Sequence, residues 1–592
     1  MHIRLSVLLA CLLSMPAWAA TLNVPSQFAT IAAAEAAAVD GDTIKIAKGR
    51  YNEAVTTAKM LSFVGGKGTI WDGFDGMDQL VATANNVTVS GIEFQLGDLP
   101  VSITGDNATV TKCIFNGSDE GVFIDGANAT VTGNRFQGLN NSSDTFAIEV
   151  TGPNALVDKN DMSYCYMFGI FVDAESLGGA TVTGNIMDTN QYYGRIEVAN
   201  ATAPVVSKNR ISNCYADDDL ILVGGDDAKV ESNILENVSY GIVSGITVNG
   251  DRALVNKNRL VNLYNYSSDF TCIQVNGQDA QATGNWIRKC GAGSDSDGVG
   301  IYVVGHNAML LANGVVGLSG AGGFSDSVGI HVVGNNAMLK ANRVVDLGGG
   351  GEESTALWID GNDGTIANNI VDTIMDEYCY GIYVSGDRAT IDRNQLYRLL
   401  YESFIEVDGD DFVISGNKIA HGAYACIGIV ASGSATGSGL ARIEKNTISN
   451  LSETAIELSG DGVMLTGNKV TKIADYGIDI TGSDNTLSGN LVTRTYDDAF
   501  QISGDNNILS ANRAFVGSKD GFDINSGDAN TLNKCSASGY VGEGLDNGGT
   551  NTTATGCKFS NNRIDYAGAG NMADDTGTTF GTGGPAQAQE VD

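Results

Sequence analysis

Four ring-bearing residues and one carboxylate occupy the same point of a repeated pattern, which makes them the first candidates for chemistry. Tyr302, His331, Trp358, Tyr383 and Glu406 each stand at x in the motif G-I-x-V-x-G or a close variant. Because alternate residues of a β-strand face opposite sides, the Ile and Val point inward and x points outward. Flat rings about 5 Å apart on successive strands suit the C–H face of a sugar. We therefore predict that the four rings bind carbohydrate.

The same outward column continues with carboxylates that could act as a catalytic pair. Glu406 and Glu457 are two repeats apart, about 10 Å, which is near the upper limit for an inverting glycosidase. Glu457 and Asp479 lie on neighbouring repeats, about 5 Å apart, which suits a retaining pair or a cation site. The predicted column reads Phe123, Glu149, Phe171, Glu197, Leu222, Thr247, Gln274, Tyr302, His331, Trp358, Tyr383, Glu406, Gly428, Glu457, Asp479, Gln501 and Asp523.

Two further sets of polar residues lie close to this column in the sequence. Asp360, Ser385 and Asp408 form the next outward position, and we assign Asp360 and Asp408 to substrate binding. A polysaccharide lyase also needs a base, and Arg388, in the turn after Tyr383, is the nearest candidate. The sequence leaves the choice between a lyase and a hydrolase open.

The repeats that carry the rings also have the longest loops, CGAGSDSDG, SGAGGFSDS, GGGGEES and TIMDEYC, which could form the walls of a groove. Stacking these loops predicts an acidic strip made of Asp295, Asp297, Asp326, Glu352, Glu353, Asp376 and Glu377. Ca²⁺ takes about six to eight oxygen ligands, so we predict a calcium site at Asp295, Asp297, Asp326 and Asp376. Ca²⁺ would also bridge an acidic glycan to an acidic protein; without it, a neutral glycan is the expected ligand.

Both the rings and the carboxylates also have a purely structural interpretation. Aromatic ladders stabilise sheets by about 0.2–1 kcal/mol per pair without any ligand. Carboxylates on an acidic protein are commonly only solvated. Two functions therefore stand side by side: an enzyme that cleaves a polysaccharide, as a lyase or glycoside hydrolase, and a non-catalytic surface or periplasmic protein that binds a glycan or another protein.

The elements that must position these residues follow from a repeat that fills the chain. An Asn recurs at a nearly regular interval, at positions 134, 160, 185, 209, 233, 258, 285, 313, 342, 369, 394, 417, 446, 468, 490 and 512. Such a period with short alternating strands indicates a solenoid, and leucine-rich repeats do not fit because their LxxLxL spacing is missing. We predict an all-β parallel β-helix of about twenty coils, with three short strands in each.

The recurring Asn predicts a buried ladder inside this solenoid. A buried amide can donate to the coil on one side and accept from the coil on the other. Cys113, Cys535 and Cys557 take the same position in the outer coils, and Cys165, Cys214 and Cys290 each follow a ladder Asn by five residues. The 10 cysteines are scattered singly. We therefore interpret them as core residues and not as a disulfide framework or a zinc site.

Composition and charge limit the kinds of protein that this chain can be. The chain has 592 residues, 77 Gly and only 6 Pro, which favours one elongated body. Its formal net charge of −35 argues against a nucleic-acid-binding surface.

Residues 1–19 are typical of a signal peptide, with a lipoprotein signal around Cys11 as the alternative, and no other stretch is apolar enough to span a membrane. We predict an exported protein with an N-terminal cap and first coils at 20–85, a β-helix at 86–562 and an irregular tail at 563–592.

The stretch from Val24 to Gly73 gives a more specific indication. Thr30 and Ile31 open an Ala-rich segment that predicts a short capping helix, and GDTIKIAKGRYNEAV follows as strand, turn and strand. This opening resembles that of right-handed parallel β-helix proteins of the pectate-lyase-like superfamily, including pectin methylesterases, polysaccharide lyases and the periplasmic accessory protein of nitrous oxide reductase maturation. The resemblance implies the fold and adds a third function, a periplasmic accessory factor. The GHG motif of polygalacturonases is replaced here by Gly305-His306-Asn307.

Overall fold

The structure is a computed structural model, and it describes residues 19–74, 77–139, 146–165, 168–175, 178–189, 194–266, 268–293, 296–319, 326–348, 353–436, 441–568, 572–574 and 576–581. The described chain winds into a parallel β-solenoid of about 22 turns, which confirms the predicted fold class. The predicted signal sequence, up to residue 18, lies outside the described residues.

Most coils give one strand to each of three sheets, in the order first, second and third sheet, and the strands pair in parallel with their equivalents in the adjacent coils. The strands of the first sheet are Thr21–Val24, Thr43–Ile46, Ser62–Val64, Thr88–Ser90, Thr109–Thr111, Thr130–Thr132, Ala155–Asp158, Ala180–Thr183, Val205–Ser207, Lys229–Glu231, Leu254–Asn256, Gln281–Thr283, Met309–Leu311, Met338–Lys340, Thr365–Ala367, Thr390–Asp392, Val413–Ser415, Arg442–Glu444, Met464–Thr466, Thr486–Ser488, Ile508–Ser510, Thr531–Asn533, Thr552–Thr555 and Met572–Asp574.

The second sheet has two parts, which a bridge from Asp161 to both Arg135 and Ile186 joins. Its strands are Gly49–Tyr51, Thr69–Asp72, Glu93–Gln95, Ile114–Asn116, Arg135–Gln137, Ile186–Asp188, Arg210–Ala216, Ile234–Tyr240, Arg259–Asn265, Trp286–Gly291, Gly314–Ser319, Arg343–Leu347, Ile370–Ile374, Gln395–Leu399, Lys418–Ala420, Thr447–Leu451, Lys469–Ile473, Leu491–Thr495, Arg513–Gly517, Ser536–Tyr540, Lys558–Phe559 and Thr579–Phe580.

The third sheet carries the G-I-x-V-x-G motif. Its strands are Val55–Thr57, Leu80–Ala82, Val101–Ile103, Val122–Ile124, Phe146–Thr151, Phe168–Asp173, Ile196–Ala199, Ile221–Gly224, Ser244–Asn249, Phe270–Asn276, Gly298–Val304, Ser327–Val333, Glu353–Asp360, Tyr378–Ser385, Tyr401–Asp408, Ala425–Ala431, Ile456–Leu458, Ile478–Ile480, Phe500–Ile502, Phe522–Ile524 and Leu545–Asn547.

The predicted N-terminal helix is present at Ile31–Ala37. Thr30 caps it by accepting a hydrogen bond from the Ala33 amide at 3.0 Å, which satisfies one of the unpaired donors of the first turn. Ile31 and Ala34 are buried, so the helix packs its apolar side on the first coils. Within the described residues, no helix has the length and apolar character needed to span a bilayer.

The Asn ladder forms as predicted and is the main polar element of the interior. Asn342 shows the pattern: its side-chain oxygen accepts from the backbone amide and side-chain amide of Asn313, at 2.9 and 3.0 Å. Its own side-chain amide donates to the Leu310 carbonyl at 2.8 Å and to the Asn369 side-chain oxygen at 3.1 Å. Each amide therefore joins three coils and has no unsatisfied group.

A second column inside the coils requires glycine. Gly334 and Gly361 both have φ in the positive region, at 155° and 153°. A Cβ on Gly361 would lie 2.3 Å from the carbonyl oxygen of Gly334, and one on Gly334 would lie 2.2 Å from that of Gly305. In these coils the third sheet turns into the first with the backbones of successive coils in contact, which leaves no room for a side chain.

The cysteines behave as the sequence predicts, since all nine in the described chain are buried and none forms a disulfide.

The C-terminal boundary is different from the predicted one. Thr579–Phe580 pairs with Lys558–Phe559, and Phe580 stacks on Phe559 with ring centroids 5.6 Å apart. The predicted irregular tail at 563–592 thus begins too early, because the apolar side chain of Phe580 continues the core for one more coil.

Basic residues are concentrated beside the Asn ladder. The positions directly before each ladder residue hold seven of them and those directly after hold eight: Lys112, Lys159, Lys208, Lys257, Arg393, Lys445, Lys534, Arg135, Arg210, Arg259, Arg343, Lys418, Lys469, Arg513 and Lys558. All fifteen are exposed. The chain has 34 Lys and Arg against 69 Asp and Glu, yet Asp161 is the one carboxylate in these two columns between Lys112 and Lys558. We call the fifteen residues the basic ridge.

Candidate functional site

The register of the third sheet brings the predicted ring residues into one outward column. Tyr302 pairs with His331, His331 with Trp358, Trp358 with Tyr383, and Tyr383 with Glu406 on successive strands. All five are partly exposed. The two ends of this set, Tyr302 and Glu406, are far apart in the sequence but only four coils apart in space, about 19 Å along the solenoid.

One member of the predicted column is wrong. Val430, and not Gly428, lies between Glu406 and Glu457. Gly428 faces the interior, where a Cβ would meet the Ala455 carbonyl oxygen at 2.4 Å. Every residue of the strand Ala425–Ala431 is apolar or Gly, so the sequence pattern does not distinguish two frames that differ by two residues. The spacing of Glu406 and Glu457 by two coils is unaffected.

The angle between neighbouring ring planes differs along the column. His331 and Trp358 are stacked, with centroids 4.3 Å apart and planes at 17°. Tyr302 is tilted at 44° to His331, and Tyr383 stands nearly perpendicular to Trp358, at 81° and 5.7 Å. The His331–Trp358 pair is thus a fixed centre, and the two tyrosines flank it in different orientations.

Asp360 fixes this centre from the next outward position. One of its carboxylate oxygens accepts from Trp358 Nε1 at 2.7 Å, and the other contacts His331 Nε2 at 2.9 Å. Burial lowers the pKa of His331, although Asp360 acts in the opposite direction. Burial thus favours the neutral imidazole, and a hydrogen bond to the Asp360 carboxylate requires that Nε2 carries a proton.

Variation in coil length is concentrated at the corner between the second and third sheets. The path from the ladder to the outward column is much longer from Asn313 to His331 than from Asn446 to Glu457. The return from the column to the next ladder residue, by contrast, has the same length from His331 to Asn342 as in most other coils. The surplus chain therefore lies on one side of the ring column, although residues 294–295, 320–325 and 349–352 of these loops are outside the described chain.

Glu406 and Glu457 flank Val430 on the same face. Ser403 donates to a carboxylate oxygen of Glu406 at 2.9 Å. Burial raises the pKa of the Glu406 carboxyl, and Glu402 and Asp408 add to this while Ser403 opposes it. Burial also raises the pKa of Glu457, with smaller contributions from neighbouring carboxylates that include Glu406. Both groups thus take up protons more readily than ordinary glutamates.

Asp479 continues the column on a coil without a long loop. Burial, assisted by Asp475, raises its pKa to about 6. Asp523, two coils further, has a pKa raised to about 6 by burial and by Asp546. One oxygen of Asp479 is buried and has no hydrogen-bond partner among the described residues. Because Asp523 shares the property, a raised pKa by itself does not single out Asp479.

An acidic group that the repeat pattern does not predict surrounds Tyr380. Burial raises the pKa of Tyr380, and Glu406, Glu402 and Glu353 each raise it further. Burial raises the pKa of Glu353 as well, followed by Asp326, Glu402 and Glu406. The sequence analysis assigned Glu353 to a loop, but it begins the strand Glu353–Asp360. Only the extension of this strand before its motif could have indicated its position.

Arg388 and Asp408 lie at the edge of the site. Arg388 Nε and Nη2 donate to the two carboxylate oxygens of Asp363 at 2.7 and 2.8 Å, and this pairing raises the pKa of Arg388. A guanidinium held in this way does not accept a proton from a substrate. Asp408 aligns with Ser385 and Asp360 as predicted, is exposed, and accepts from the Ser432 hydroxyl at 3.0 Å.

The residues predicted to bind calcium serve other contacts. The Asp326 amide donates to the Asp297 carboxylate at 2.9 Å. Asp376 is buried, and the Ser354 hydroxyl donates to it. Asp295 lies outside the described residues, and the described part of the chain has no group of three or more His, Cys, Asp or Glu arranged to hold a metal ion. Calcium binding stays a prediction.

Comparisons with known proteins agree with this architecture. A family model described as the right handed beta helix region matches residues 74–194, 99–272 and 428–581. No curated protein matches the sequence. Among solved structures, the catalytic domain of a GH87 α-1,3-glucanase in complex with tetrasaccharides is 12% identical, with a TM-score of 0.27, over 53% of this chain and 61% of that chain. This chain thus aligns with less than two thirds of the glucanase domain.

Two other solved structures align over more of the chain. The periplasmic alginate epimerase AlgG is 10% identical with a TM-score of 0.23, over 68% of this chain and 78% of that chain. The PL6 family alginate lyase AlyGC is 11% identical with a TM-score of 0.23, over 95% of this chain and 100% of that chain.

Proposed function

This chain belongs to the family of right-handed β-helix proteins, and from that premise we propose that it binds a neutral polysaccharide along the ring column and hydrolyses it beside Glu406. The observation that carries the proposal is that the ring column leads directly to Glu406, a carboxylate with a raised pKa on the coil after Tyr383. Within this column, Tyr302 and His331 follow the two longest paths from the ladder.

The charge around the column favours a neutral ligand. Glu353, Glu402, Glu406 and Asp408 act on one another or on the tyrosines between them. Arg388, the cation nearest in sequence, is already paired with Asp363. A polymer with a carboxylate on every sugar would be repelled by these carboxylates. A hydrolase of neutral glycans therefore suits the site better than a lyase.

Tyr302 and Tyr383 are suited to hold sugar units on either side of the His331–Trp358 pair. Their tilts of 44° and 81° relative to that pair mean that neither is confined to the central stack. Apolar ring surface against sugar C–H groups removes water from both, and a rigid sheet loses little conformational entropy in the contact. A bound chain that follows the column would extend from Tyr302 across Tyr383 to Glu406.

Glu406 and Glu457 have the roles of acid and base in this proposal. Protonated Glu406 gives its proton to the glycosidic oxygen as the bond from that oxygen to the anomeric carbon breaks. Ionised Glu457 takes a proton from the water that attacks the anomeric carbon from the opposite side. Their spacing of two coils, about 10 Å, leaves room for that water and predicts inversion of configuration.

The location of this activity would be outside the cytoplasm. The proposal of export depends on residues 1–19, where a short basic region and an apolar stretch precede Ala17-Trp18-Ala19. The N-terminal sequence of the mature protein would test it, with a new terminus at Ala20 as the expected result.

The hydrolysis proposal is tested by incubating the protein with a panel of neutral polysaccharides and measuring new reducing ends. We expect Glu406→Gln to lower the cleavage rate by about 10²- to 10⁴-fold with little change in glycan affinity. Tyr383→Ala should weaken binding several-fold. Asp523→Asn is the matched control, because it removes a carboxyl with a raised pKa from the same column but far from the rings.

Two results would decide against hydrolysis. Cleavage by Glu406→Gln at the rate of the wild type would remove Glu406 from the chemistry. Binding that depends on Tyr383, with no product from any polymer, would favour the second candidate, a non-catalytic glycan-binding protein. That candidate is supported by the ring column itself, since Asp360 holds His331 and Trp358 in place independently of Glu406.

A further inference from the structure

We propose that the basic ridge is a docking surface for an anionic polysaccharide, separate from the site on the third sheet. The ridge follows the corner between the first and second sheets from Lys112 to Lys558. Its ladder contains nineteen positions, so at one coil per 4.8 Å the ridge is about 90 Å long. The inference does not depend on the proposed hydrolysis.

Most cations of the ridge have no carboxylate partner. Five of the fifteen form ion pairs: Lys159, Arg210, Arg259, Arg393 and Lys445. The other ten have no carboxylate oxygen within 4.0 Å in the part of the chain that the structure describes. Exposed like charges on neighbouring coils repel one another, and an anion bound along the ridge would relieve this repulsion.

The surroundings of the ridge supply groups that bind sugars. The column two residues before the ladder is mostly Ser, Thr or Asn, for example Ser207, Ser415 and Thr466. In the column after the ladder, Trp286 is 41% exposed beside Arg259, and Ile186 is 43% exposed beside Arg210. Hydroxyls and apolar surface beside a row of cations are complementary to a sugar chain that carries sulfate or carboxylate groups.

The width of the ridge argues for a thin polymer. It consists of two columns on either side of a buried ladder, and the second sheet beside it carries carboxylates again at Asp188, Glu236 and Asp372. A nucleic-acid duplex or a bilayer would extend over these acidic flanks of a protein with a net charge of −35. A single polysaccharide chain can follow the cations without covering the flanks.

Dextran sulfate and unmodified dextran, which share one backbone, provide the test. We expect the wild-type protein to bind immobilised dextran sulfate but not dextran, with an affinity that falls steeply as salt is raised. The triple variant Arg343→Glu, Lys418→Glu, Lys469→Glu reverses three unpaired ridge cations and should weaken this binding by about tenfold or more.

A charge-matched control separates the ridge from net charge. The triple variant Lys45→Glu, Lys48→Glu, Lys67→Glu makes the same change in net charge at exposed positions outside the ridge, and we expect it to bind nearly as the wild type does. An equal loss in both triple variants, or no loss in the ridge variant, would overturn the proposal. Binding of duplex DNA or of anionic phospholipid vesicles in preference to dextran sulfate would overturn it as well. Both variants should keep the wild-type circular dichroism.

Discussion

Asp360 shows how one carboxylate can organise a surface without taking part in chemistry. It receives hydrogen bonds from His331 and Trp358, which belong to adjacent coils, and so fixes their stacking. A sugar-binding column without this residue would have the same rings but a broader range of their orientations. Pre-organised rings lose less conformational entropy on binding, which is the physical advantage of the arrangement.

Replacing Asp360 by Ala should therefore lower the pKa of His331 still further. Asp360 is the group that opposes the effect of burial on the imidazole, so its removal leaves burial alone to act. The chain has only 4 His, which makes a titration followed by NMR straightforward to assign. Asp408→Ala, in the same outward column two coils away, should leave the His331 titration unchanged. A His331 pKa that rises in Asp360→Ala would contradict the assignment.

The Asn ladder is the element that fixes the height of each coil. Each member satisfies buried groups of both neighbours, so one substitution leaves several donors and acceptors without partners. The cysteines at the outer positions make weaker contacts: the Cys535 amide meets the Cys557 sulfur at 3.3 Å. Weaker contacts are acceptable at an end because fewer coils depend on them.

We expect Asn342→Ala to destabilise the protein by about 3 kcal/mol, because it leaves buried donors and acceptors unpaired in three coils. Asn276→Ala is the control: its amide also donates to an Asn of the neighbouring coil, Asn249, but from a solvent-exposed position, so the cost should be below about 1 kcal/mol. Urea unfolding followed by circular dichroism compares the two. Similar shifts in the unfolding midpoint for both variants would show that burial of the ladder amide is not decisive.

How much could be predicted from the sequence depends on whether a residue is held by the repeat. The ladder and the outward column follow from alternation and from a nearly constant spacing, so their members can be predicted, with one exception: Gly428 is predicted where Val430 lies. Glu353, Glu402 and Tyr380 meet through strand extensions and loops whose length varies from coil to coil. The repeat pattern cannot predict such contacts, because they depend on how far each loop folds back over the sheet.

As a whole molecule, the solenoid is assembled from nearest-neighbour contacts. Three consecutive ladder residues, Asn468, Asn490 and Asn512, are evenly spaced along the chain, so the coils between them have equal length. Repeat architectures of this kind tolerate the loss of a unit when the register is kept. The solenoid also carries two separate surface features: the ring column lies on the third sheet, and the basic ridge follows the corner between the first and second sheets.

Deleting residues 491–512 should therefore leave a folded protein that is one coil shorter. The deletion joins Asn490 to Arg513, which recreates the junction that Asn512 makes with Arg513, and the solenoid should shorten by about 5 Å. Small-angle scattering and circular dichroism check the two expectations. Deleting only residues 491–501 removes half a coil and should abolish cooperative unfolding. A folded half-coil variant would contradict the nearest-neighbour description.

The near-constant length of the return from the outward column to the ladder has a consequence for how such a protein can diversify. Because the return path has the same length in most coils, chain added at the corner between the second and third sheets changes the flank of the ring column without shifting the next coil. The selectivity of the surface and the stability of the scaffold can then vary almost independently. Peptides of foreign sequence inserted at that corner of successive coils would be spaced by one coil, about 4.8 Å along the solenoid.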